Sequence, residues 1–79
     1  MDLDAEFRKR PHLRTDDKAI LRFVQESGGA FITEVRDRFD IPKSSAWRMI
    51  KRLEDEGLIK SATVGRETYL QLGEPEEEP

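Results

Sequence analysis

Between Ile41 and Ile59 the apolar residues follow a helical beat. Ala46, Ile50 and Leu53 recur four and three residues apart, with Met49 beside them, which places them on one face. Ser44, Arg48 and Lys51 fall on the opposite side, and Trp47 and Arg52 lie on the two flanks. Pro42 suits the first helical position, where a missing N–H is no loss. Gly57 suits the left-handed residue just past the end. The pattern predicts a helix over residues 43–56. From Lys43 to Arg52 it carries four basic residues and no acid, and Glu54, Asp55 and Glu56 then follow as a block. Its front is therefore positive and its rear negative, and the front also carries the free N–H groups and the positive end of the helix dipole.

A second helical pattern starts at Thr15. Thr15 is expected to cap it, and Asp16 and Asp17 oppose the dipole. Ala19, Ile20, Phe23 and Val24 form its inward stripe, with Leu21 at the margin, and Ser27-Gly28-Gly29 stops it. Ala30-Phe31-Ile32 reads either as a brief strand or as an extended entry to the next helix. That helix is expected over Glu34–Phe39, capped by Thr33, with Val35 and Phe39 inward and Arg36 and Arg38 outward, within reach of a phosphate. Asp40-Ile41-Pro42 makes a tight turn. A short helix, a turn and a second helix with a basic front form a helix-turn-helix arrangement.

After Gly57 the period shortens. Leu58–Val64 is rich in strand formers, Gly65-Arg66 is a turn signal, and Glu67–Leu72 alternates. The segment predicts a two-stranded hairpin with Lys60 and Arg66 as its cations, packed on the helices because an isolated hairpin is marginal. At the other end, Leu3 and Phe7 are four apart. Residues 1–14 read as a short helix over Asp2–Arg10 or as a partly ordered basic arm. The expected organisation is an arm or helix over residues 1–14, a domain over 15–72 and a disordered acidic tail over 73–79.

Composition narrows the chemistry. With 79 residues the chain supports one small core and little room for an enzyme cleft. There is no cysteine and a single histidine, His12, so disulfides, thiolate-metal sites and metal cofactors are not expected. No nucleophile–base pair, phosphate loop or metal set appears, so no enzyme is expected. No apolar run is long enough to span a membrane, and no signal-peptide pattern follows Met1, which points to a cytoplasmic setting. The net charge is -3, but four glutamates lie within residues 74–78; without them 14 basic residues face 13 acidic ones, a balance of +1. A near-neutral body with one basic face permits site-specific DNA binding and argues against strong indiscriminate binding.

The order helix, short apolar segment, helix, turn, helix, hairpin resembles the winged helix-turn-helix domain, an α+β, mainly α fold. Ile41–Ile59 is similar to the turn, recognition helix and leucine–acid–x–x–glycine–leucine–isoleucine exit of MarR-like and IclR-like prokaryotic regulators, and to small archaeal winged-helix proteins. The likeness covers residues 15–72. It implies a transcription regulator that binds double-stranded DNA, with a recognition helix in the major groove and a wing over residues 60–68 on the backbone. It places Lys43, Ser44, Ser45, Trp47, Arg48 and Lys51 on the DNA side of the recognition helix, with Arg52 on its flank and Arg66 at the wing tip. It allows a homodimer and predicts no small-molecule ligand. Two residues depart from the family pattern: Pro42 replaces the usual serine cap, and Trp47 replaces a small polar residue. Trp47 reads as a DNA contact, a protein contact or a core flank. The alternative function is a winged-helix protein-interaction module of a replication or transcription assembly, which needs no base readout. Deleting residues 74–79 is expected to raise nonspecific duplex affinity, measured by fluorescence anisotropy, because the acidic residues oppose the phosphate backbone.

Overall fold

A computed structural model describes residues 1–73 of the chain; the glutamate-rich segment from Glu74 onward lies outside the described residues. Four helices, α1 (Leu3–Lys9), α2 (Thr15–Ser27), α3 (Ile32–Phe39) and α4 (Lys43–Asp55), combine with three strands, β1 (Ala30–Phe31), β2 (Ile59–Val64) and β3 (Glu67–Leu72). The mainly helical α+β class is as expected. It contains one helix and one strand more than a minimal three-helix, two-stranded arrangement. All pairing is antiparallel, in the order β1-β3-β2. The hairpin register runs from Ile59 opposite Leu72 to Val64 opposite Glu67, around a turn in which Gly65 has φ 65°. Ala30 and Phe31 pair with Leu70 and Tyr69, so of the apolar segment Ala30-Phe31-Ile32 the first two residues are a strand and Ile32 already opens α3.

Helix boundaries follow from where unpaired backbone groups find partners. The α2 cap is Arg14, and its N–H donates to the Asp17 carboxylate (3.0 Å). Asp17 therefore serves the start of α2, and Thr15 is the first helical residue. In the same way Phe31 precedes α3 and its N–H donates to Glu34 Oε1 (2.9 Å), which leaves Thr33 exposed inside the first turn rather than at the cap. The reason is tertiary: Phe31 is held in β1, so the chain leaves the sheet directly into the helix. Pro42 sits one position before the helix, with φ -60° and ψ 150°, and its carbonyl accepts from Ala46 N–H (2.9 Å). Both long helices close the same way. Leu58 N–H reaches back to Leu53 O (2.9 Å) over Gly57 (φ 76°), and Gly29 N–H reaches Val24 O (3.0 Å) over Gly28 (φ 69°). Each is a glycine-dependent C-terminal motif that satisfies carbonyls the helix leaves free.

One face of each element supplies the core. Ile20, Leu21 and Val24 of α2, Val35 of α3, Ala46, Ile50 and Leu53 of α4, and Leu58 and Leu70 are buried. Leu21, expected at the margin, is fully buried and belongs to the core. Phe7 of α1 lies beneath Lys18 (5.7 Å) and Arg22 (5.1 Å), four residues apart on α2. Leu3 and Leu13 join the core, and Arg22 pairs with Asp4 (2.6 Å). Of the basic run of residues 8–10, Arg10 is drawn in: it bonds Glu6 of α1 and Glu56 at the end of α4 (3.2 Å), and His12 Nε2 lies 2.8 Å from the same Glu56 oxygen. The N-terminal segment is thus a docked helix with a loop rather than an arm.

Two glycines are close-approach sites. Gly29 has φ 119°, and a Cβ there would fall on the ring and hydroxyl of Tyr69; Gly73 lies against the Gly57 carbonyl, and its N–H donates to Leu58 O (2.8 Å). Leu53→Ala is expected to destabilise the domain by about 2–5 kcal/mol in a urea titration, a large share of what so small a core supplies. Gly29→Ala is expected to lower the melting temperature through both its backbone angle and the Tyr69 clash, whereas Gly65→Ala, with open space around its Cβ, carries only the backbone component.

Candidate nucleic-acid interface

Helix α4 is amphipathic, and its geometry sorts the candidate residues. With Ala46, Ile50 and Leu53 buried, the opposite face presents Ser44, Arg48 and Lys51 to solvent. Lys43 is exposed at the helix start and Ser45 is half-buried. Trp47 is 37% exposed, a large apolar side chain left partly open on the charged helix. Lys60 and Arg66 are exposed on the hairpin, away from the core. Among the described residues Lys43, Arg48, Lys51, Lys60 and Arg66 have no acidic partner within ion-pair distance. Their charge is therefore available to an outside anion.

The acids at the end of α4 are turned to other uses. Glu54 accepts from Ser61 Oγ (3.2 Å), which ties α4 to β2. Glu56 is taken up by Arg10 and His12. Of the three, Asp55 alone is exposed, so the negative rear is weaker than the block Glu54-Asp55-Glu56 suggests.

Other basic residues divide. Arg36, expected to face outward, is half-buried, and its Nε donates to Ile41 O (3.4 Å). It braces the turn in which Asp40 adopts φ 53° and Ile41 N–H donates to Arg36 O (3.0 Å). Arg38 is exposed, with its guanidinium 5.2 Å from the Phe39 ring centre. Arg52 leans toward the start of α2, where Nη2 lies 3.5 Å from Asp17 Oδ1.

A groove of about 750 Å³ runs between the start of α2 and the open side of α4. Helix α4 contributes Ser45, Trp47, Arg48, Met49, Lys51 and Arg52, and the start of α2 contributes Arg14 and Asp16. The structure so brings together five of the candidates around one concavity, while Lys43, Ser44 and Arg66 lie outside it. Arg14 and Asp16 were not anticipated. They precede or open a different helix, and nothing in the local sequence links them to α4.

This arrangement can be compared with known proteins. The sequence profile of a family described as "Domain of unknown function (DUF7343)" matches residues 13–73. The chain belongs to this family. An uncharacterized HTH-type transcriptional regulator of Pyrococcus horikoshii, PH0140, is 39% identical over 44 residues, which make up 56% of this chain and 28% of that protein. The chain therefore spans under a third of that relative's length. Among solved structures, an ArsR family transcriptional regulator superposes with a TM-score of 0.68 at 27% identity, covering 75% of this chain and 60% of that one. The YusO protein from Bacillus subtilis gives 0.73 at 21% identity, covering 85% and 50%. A mutant MarR from E. coli, complexed with operator DNA, gives 0.72 at 15% identity, covering 89% and 52%. The domain has the winged-helix fold: α3 and α4 form the helix-turn-helix, and β2 and β3 form the wing.

Proposed function

We propose that this domain binds double-stranded DNA as the reading head of a transcription regulator, with α4 in the major groove and the wing, residues 60–68, along the backbone. The observation that carries the reading is the face of α4 opposite the core. Arg48 and Lys51 stand there in solvent, without acidic partners among the described residues, on a helix whose other side is anchored in the hydrophobic core. An arginine so placed suits the bidentate donor pattern that guanine presents, a contact that contributes about 1–3 kcal/mol of discrimination. Ser44 and Ser45 suit phosphate oxygens near the start of α4, where main-chain N–H groups are also free. Lys60 and Arg66 suit the backbone or the adjacent minor groove. The relatives named as transcriptional regulators support this reading.

The work done is binding rather than catalysis. One α4 meets one half-site, so a homodimer fits a two-fold operator, and light scattering of the purified chain tests that form. A second reading, docking to a protein partner, is favoured by one observation, the partly exposed Trp47, since tryptophan is enriched at interfaces.

A salt titration of duplex binding separates the two. With about six phosphates neutralised, the logarithm of affinity is expected to fall against the logarithm of salt with a slope of roughly -5. Absence of duplex affinity at low salt would sink the DNA reading and leave the protein partner. Arg48→Ala and Lys51→Ala are each expected to weaken duplex binding while the melting temperature stays nearly unchanged, because neither side chain contributes to the core. Trp47 is the sole tryptophan, so its emission provides an intrinsic signal. Duplex addition is expected to protect it from acrylamide quenching.

A further inference from the structure

Asp17 has two carboxylate oxygens with different surroundings. Oδ2 accepts the Arg14 N–H at the start of α2 (3.0 Å). Oδ1 is buried without a hydrogen-bond partner among the described residues, and the cation beside it is Arg52, with Nη2 at 3.5 Å. The residue is 4% exposed, whereas the Arg52 side chain is 54% exposed. Capping α2 requires one acceptor, which an asparagine or serine would also provide without burying a charge. The second oxygen is therefore unexplained by the cap. What it does instead is reach across from α2 to α4.

We propose that Asp17 is a positioning residue for nucleic-acid binding, holding Arg52 on the α2-facing flank of α4 so that its free edge meets a duplex phosphate. This rests on the DNA reading of the same face. A guanidinium carries five N–H donors in a rigid fork, and Asp17 attracts it by charge, with Oδ1 at 3.5 Å from Nη2 and no hydrogen bond between them. Its donors are left for an outside acceptor at the groove that Arg14 and Arg48 also line. Without Asp17, a long arginine on an exposed helix flank samples many rotamers and loses that freedom on binding. With Asp17, part of that ordering is complete in the free protein. The carboxylate charge is offset by the guanidinium it pairs with, while the more exposed guanidinium is the part of the pair that solvent and a phosphate reach. Exposed Asp16 lines the same groove and disfavours an anion deep within it, which keeps the contact at the rim. Arg52 thereby acts as a backbone contact that sets register, distinct from Arg48 and Lys51 on the front.

The test is a double-mutant cycle on the full chain, using Asp17→Asn, Arg52→Gln and the pair, with anisotropy of a labelled mixed-sequence duplex across a salt titration. The Asp17→Asn change keeps an acceptor for Arg14 N–H while removing the charge beside Arg52. Arg52→Gln is expected to weaken binding by about threefold to tenfold and to reduce the magnitude of the salt slope by about 1, as for one phosphate contact. Asp17→Asn is expected to weaken binding by a smaller factor in the same direction, and the double variant to bind no worse than Arg52→Gln alone. Melting curves run in parallel correct for any loss of folded protein. Effects of the two changes that multiply independently would overturn the proposal, as would Asp17→Asn binding as tightly as the parent chain or more tightly. If the parent chain shows no duplex affinity at low salt, the DNA reading itself fails, an outcome distinct from an uncoupled cycle in a chain that binds.

Discussion

Ile50 exposes no surface to solvent, and Ala46 and Leu53 expose almost none. This buried face of α4 is the constraint on which the rest depends. A 13-residue helix does not hold itself in water; its apolar side must be covered, and α2, α3 and the sheet are arranged to cover it. Once that face is committed to the core, the helical period leaves Ser44, Arg48 and Lys51 no direction but outward. The charge display is a geometric consequence of the packing.

The edges of α4 are secured by specific contacts. At its start, Arg36 and the left-handed Asp40 shape the turn that sets α3 against α4. At its end, Gly57 lets Leu58 reach back to Leu53, and the next residue enters β2. Glu56 gathers Arg10 and His12, so the N-terminal segment is fastened to the end of the same helix. That network also pairs off one of the acids that follow the basic face. A stretch that looks nearly neutral in composition thus presents its cations to solvent and keeps much of its anionic charge engaged.

The sheet shows how a few contacts decide between local alternatives. Ala30 and Phe31 make only two pairs with β3, yet those pairs hold the chain extended until Phe31 and start α3 earlier than the threonine cap suggests. Tyr69 packs edge-on against Phe31 at 5.1 Å, and its hydroxyl donates to Gly28 O (3.3 Å). The end of α2, the short strand and the wing are therefore joined around one aromatic pair, and Gly29 must lack a side chain for Tyr69 to lie there.

The periodicity of Ala46, Ile50 and Leu53, the glycine stops at Gly28 and Gly57, and the alternation through Leu70 and Leu72 are local signals, and they were enough to determine the helix-turn-helix, the wing and the outward residues of α4. Local signals act within a few residues, and so they could not say what Asp17, Glu56 or Leu3 would meet. That Thr33 does not cap, that residues 3–9 form a docked helix, and that Arg14 and Asp16 share a groove with α4 were decided by chain segments distant in sequence, whereas Thr15 lost the cap, and Arg36 its outward place, to partners three and five residues away. The competition among donors for one acceptor, and among apolar surfaces for one core, is settled only when the whole chain is packed.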